Sequence, residues 1–167
     1  DVLVDGLLPQ GAPAGTLPAA AELRAEGKVA ITAARDALLG AASKVIVDGD
    51  GVAESTSEAT FSAGGHTTVA GEVTTLNSVT ITAADDITLT GRVTAMHLIE
   101  ASAGTDGSGS IMGDIYTELT TFASQINLSA GSLSGDITLE GSRISESATT
   151  GIIRLQADRK STRLNSS

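Results

Sequence analysis

The chain of 167 residues has the length of about one domain. Hydrophobic residues make up 41% of it but aromatics only 2%, so its interior has to be thin and filled by Val, Ile, Leu and Ala. A formal charge of −10 argues against a nucleic-acid footprint, and the absence of Cys excludes disulfides, thiolate metal sites and a cysteine nucleophile.

Residues 1–21 hold Pro9, Pro13 and Pro18 and read as an irregular lead-in or partial coil. Pro18–Ala25 is the one stretch whose pattern would support a short helical turn. With Asp at position 1 and no visible signal peptide, the sequence reads as an interior fragment. No apolar run approaches the roughly 18 residues of a membrane span.

From residue 22 the chain repeats. Glu22–Ala33 aligns with Glu72–Ala83, which aligns in turn with Glu118–Ala130 after one insertion. Asp86–Leu89 recurs as Asp136–Leu139. A finer unit lies inside this period: an alternating strand, a small-residue corner, then a second alternating strand. The first strands are expected at Val29–Thr32, Ala59–Ser62, Val79–Thr82, weakly near Ser110–Met112, and at Ile126–Ser129. The second strands open after Asp36, His66, Asp86, Asp114 and Asp136. Ile153–Ala157 looks like the start of one more first strand. Period-two alternation puts Val79, Ile81, Ile87, Leu89, Ile126, Leu128, Ile137 and Leu139 on an inward ladder, with Thr80, Thr82, Thr88 and Thr138 facing out.

Such units point to an all-β fold, a parallel β-helix (β-solenoid), expected to be right-handed, with about five to six coils of 20–30 residues over 22–157. A β-sandwich has strands at similar spacing but does not require its sequence to repeat.

Residues 158–167 differ in character and hold three of the ten basic residues. The string resembles the translation of a common sequencing-library adapter, which implies a non-native tail.

Gly27–Asp36 and Gly135–Gly141 resemble the coil of haemagglutinin-type repeats in large secreted bacterial adhesins. That resemblance covers about residues 22–157. It implies a secreted or cell-surface filament serving as a structural stalk or adhesin, with a host-cell, carbohydrate or matrix surface as its partner.

Candidate chemistry is sparse. Asp48, Asp50 and Glu54 on a Gly-containing turn are the most calcium-like group, although the third Asp and distal Glu of an EF-hand loop are missing. With Asp106 they are expected to form an acidic binding ridge, if the long connections 48–58 and 102–109 leave the same corner of the coil. His66 takes a corner place held elsewhere by Asp and reads as a turn cap. His97 is expected inside a strand. No nucleophile elbow or triad order is visible, so no catalytic residue is assigned. A pectate-lyase-like enzyme needs acidic and basic residues on adjacent coils of one face, and the basic residues look scattered. An ice-binding solenoid needs unbroken Thr-x-Thr ladders, and these break at Ala30 and Asn127. An isolated stack of coils is also expected to associate end to end through its open strand edges.

Overall fold

The computed structural model describes residues 2–4, 21–48, 57–122, 125–131, 135–146, 152–157 and 162–165. Strands follow one another in threes. The first coil is β1 (Val2–Val4), β2 (Glu22–Ala25) and β3 (Lys28–Ala33). The second is β4 (Ala37–Leu39), β5 (Lys44–Val47) and β6 (Glu58–Ala63), and the third is β7 (Thr67–Val69), β8 (Glu72–Thr75) and β9 (Ser78–Ala83). Then come β10 (Ile87–Leu89), β11 (Arg92–Ala95) and β12 (Leu98–Ser102), followed by β13 (Ile111–Gly113), β14 (Glu118–Thr121) and β15 (Gln125–Ser129). The sixth coil is β16 (Ile137–Glu140), β17 (Arg143–Glu146) and β18 (Ile152–Gln156), and β19 (Thr162–Asn165) opens a seventh.

Each strand pairs in parallel with the strand three places along the chain, which generates three sheets. Sheet A holds seven strands from β1 to β19, sheet B six from β2 to β17, and sheet C six from β3 to β18. The protein is a parallel β-helix. Neighbouring coils sit about 4.8 Å apart, the ordinary interstrand spacing.

Alternation along each strand decides what fills the interior. In sheet C, Val79, Ile81 and Ala83 are buried while Ser78, Thr80 and Thr82 point outward. Ile87, Leu89, Ile126, Leu128, Ile137 and Leu139 are likewise buried, each stacked on the equivalent residue of the next coil. Thr88 and Thr138 sit on the outer side of sheet A. The corner from sheet C to sheet A carries a column of small residues, Ala33, Ala63, Ala83, Ala103 and Ala130, all buried. Small side chains there let the chain turn between faces without widening the interior. Phe61 is the one buried ring among the described residues, and it lies in register between Ile31 and Ile81.

Three features differ from the sequence expectation. Each coil has three strands, not two, because sheet B uses four-residue segments too short to show clear alternation. Glu22–Ala25, expected to contribute to a helical turn, is the first of these. The weak strand near Ser110–Met112 is β13, and its register partners Ile87 and Ile137 place it in sheet A as a second strand. The first strand of that coil is β12, and Asp114 starts a turn instead of a strand. His97 stands at the bend between β11 and β12, where its N–H donates to the Asn77 carbonyl at 2.9 Å.

The lead-in and the tail each contribute a strand to sheet A. β1 pairs with β4, and β19 within the tail pairs with β16.

Candidate functional surface

The first residue of every sheet B strand is charged, and the parallel register stacks these six residues in one column: Glu22, Lys44, Glu72, Arg92, Glu118, Arg143. Their signs alternate without exception. Lys44 Nζ lies 2.9 Å from Glu72 Oε2, and Arg92 Nε donates to Glu118 Oε2 at 2.9 Å. The hydrogen bond to Glu72 holds the Lys44 ammonium above its usual pKa. All the pairs are exposed, where ion pairs add little stability. Opposite charges directly across a strand pair do, however, reward one register, and like charges penalise others. Three of the basic residues are therefore not scattered: Lys44, Arg92 and Arg143 share one register, interleaved with Glu.

A second column runs up the corner before sheet A: Asp36, His66, Asp86, Ser110, Asp136. Each of the first four side chains caps the backbone of the coil after it. The His66 N–H donates to Asp36 Oδ1 at 2.9 Å, and the Asp86 N–H to His66 Nδ1 at 3.4 Å. The Ser110 N–H donates to Asp86 Oδ1 at 2.8 Å, and the Asp136 N–H to Ser110 Oγ at 3.2 Å. Asp, His and Ser share the one property this place needs, an acceptor on a short side chain. Beside the column, His66, Asp85, Asp86, Ser108, Gly109 and Ser110 line a shallow open depression. His66 Nε2 is 3.8 Å from Asp85 Oδ2, and Nδ1 is 3.5 Å from Asp86 Oδ2. With Nδ1 accepting from the Asp86 backbone, the imidazole is occupied as a cap.

Of the acidic residues singled out in the sequence, the two that are described, Asp48 and Asp106, leave different corners of the coil. Asp48 follows β5 at the corner from sheet B to sheet C, whereas Asp106 lies in the connection from β12 in sheet C to β13 in sheet A. Asp48 Oδ2 accepts from Arg24 Nε at 2.8 Å and also from Nη2. That guanidinium lowers the carboxyl's pKa from its ordinary value. Asp106 Oδ1 accepts from the Ser108 N–H at 3.1 Å, fixing its own loop. Asp50 and Glu54 lie outside the described residues. Among the described residues, no three His, Asp or Glu side chains come together as a metal site.

Sequence reasoning also missed a surface feature. Asp114 Oδ1 accepts from the Tyr116 N–H at 2.8 Å, and the Asp114 carbonyl accepts from the Thr117 N–H at 3.0 Å. This turn holds Ile115 and Tyr116 out into solvent, at 67% and 72% exposure. The Asp-x-x-Thr pattern of residues 114–117 was the signal available in the sequence.

Comparison with family models, curated proteins and solved structures yields no match to this chain.

Proposed function

We propose that this chain is a structural stalk segment of a secreted or surface-exposed bacterial β-helix protein, with a mechanical role and no catalytic one. The observation that supports this reading is the constancy of register against varied connections. Ala37 pairs with Thr67 thirty residues on, and Thr67 with Ile87 twenty residues on, yet the ladders continue unbroken. On its outer wall one column is given to strand-pairing charges and another to backbone caps. A rod built by repetition should be shortened by whole coils without losing its fold.

Deleting residues 67–110 removes two coils, joins His66 to Ile111 and stacks Lys44 on Glu118, so that opposite charges still meet. Small-angle X-ray scattering should report a rod shorter by about 10 Å, and the shortened chain should still melt cooperatively. Collapse to a molten or unfolded chain would contradict a modular stalk. The haemagglutinin-like resemblance of Gly27–Asp36 supports the adhesin form of this reading, with a host-cell, carbohydrate or matrix surface as its contact.

A further inference from the structure

Two columns of side chains cover the outer face of sheet B. Beside the charge column run Arg24, Ile46, Thr74, Thr94, Thr120 and Ser145. Together the columns set Arg24, Lys44, Arg92 and Arg143 against Glu22, Glu72 and Glu118, so this face escapes the acidity of a chain of formal charge −10. Alternation also makes the column complementary to itself. A two-fold axis parallel to the strands, passing between the third and fourth coils, inverts a second copy and lays its sheet B on the first. Glu72 then faces Arg92 of the second copy, and Lys44 faces Glu118, each contact occurring twice. In the neighbouring column Thr74 faces Thr94 and Ile46 faces Thr120. No like charges meet. A two-fold axis along the rod does the reverse and sets every charge against its own copy. The complementarity needs only the alternation and does not depend on where the column starts or stops.

The same inversion brings the fifth coil opposite the second. Ile115 and Tyr116 stand out at the fifth coil's corner from sheet A to sheet B, and the matching corner of the second coil is Gly40-Ala41-Ala42, whose small side chains leave room for them. Lys44 and Arg92 each keep donors beyond those given to Glu72 and Glu118 of their own chain, so pairing along the column and across it is compatible.

We propose that the outer face of sheet B is a docking surface for a second, antiparallel copy of this chain. Four residues by six strands measure roughly 13 Å by 29 Å, and two such faces bury less than the ~1,200 Å² of a stable complex, so the pair is weak and reversible. It uses the side of the rod and goes beyond the stalk reading without depending on it.

Sedimentation equilibrium of the full 167-residue chain at up to about millimolar concentration should follow a monomer–dimer scheme. Glu72→Gln combined with Arg92→Gln leaves the formal charge at −10 and removes the central ion pairs between copies. That variant should dimerise roughly fivefold more weakly. Tyr116→Ser should weaken the dimer roughly tenfold, since buried aromatics dominate interfaces. Circular dichroism separates lost docking from lost folding, and Lys44→Gln with Glu118→Gln replaces either variant that unfolds. Orientation is read from spin labels, because the chain has no Cys of its own. Thr88→Cys and Thr138→Cys place them on the outer side of sheet A, away from the docking face. In the antiparallel pair the Thr88 sites are offset along the rod by one coil and the Thr138 sites by five, about 5 Å and about 24 Å. The Thr138 labels should therefore give the longer distance by electron–electron resonance. A chain that stays monomeric throughout overturns the proposal. So do equal label distances, which mean parallel packing, or association unchanged in either folded variant.

Discussion

Thr75 occupies an inward place between Val47 and Ala95 and is 3% exposed. Its Oγ1 has no hydrogen-bond partner among the described residues, so the hydroxyl loses water without replacement. Thr75→Val keeps the shape and removes that group, and should raise stability by about 1 kcal/mol in urea unfolding. Gly91 is constrained in the opposite sense. A Cβ there would sit 2.1 Å from the Gly71 carbonyl oxygen of the preceding coil, and that backbone atom cannot move aside without disturbing its own coil. Gly91→Ala should cost about 2 kcal/mol by the same measurement. Asp48 supplies a pH-dependent contact. Its hydrogen bond with Arg24 lowers the folded carboxyl below 3.8, so the contribution is present above that value and is lost as pH falls through the folded pKa. Arg24→Ala should return the Asp48 titration, followed by NMR, toward 3.8.

At the scale of the element, the corner column governs whether a connection can be tight. Asp86→Ala removes the acceptor of the Ser110 N–H and should cost about 1 kcal/mol. Asp86→Asn retains an acceptor oxygen and should cost less, and comparing the two melts checks it. This column also explains what could be read from the sequence. Asp36, His66, Asp86 and Asp136 marked four true corners, because a capping side chain recurs wherever the same backbone N–H needs an acceptor. Ser110 caps the same way without advertising it, and Asp114 drew attention as an Asp while serving a turn one corner later. Strands of sheet C were legible because six residues show alternation, as in Ser78–Ala83. Sheet B was not, because Glu22–Ala25 and its relatives offer only two inward positions each. The charge column was invisible until register was known, since adjacent members lie on different coils with unequal connections between them. Asp48 and Asp106 were separated for a related reason: composition identifies an acidic loop, but only coil geometry says from which corner it leaves.

Across the whole molecule, contacts join each coil to its neighbours, so stability should be close to a sum of coils and junctions. Hydrogen exchange should then grade along the axis. Amides of β8 and β11 in the middle should outlast those of β2 and β17 at the edges by an order of magnitude or more, and equal protection throughout would mean a single indivisible unit. The alternating column on sheet B adds a rule of parity. Backbone structure repeats with every coil, but charge repeats only with every second one. A stack holding an even number of column members ends on opposite signs, as Glu22 and Arg143 do, whereas an odd number ends on the same sign. Removing or inserting a single coil inside the stack would therefore set two like charges against each other, as loss of the β8 coil would set Lys44 against Arg92, whereas two coils at a time preserve every opposite pair. The length of such a rod is thus free to change in steps of two coils, with the interior left untouched.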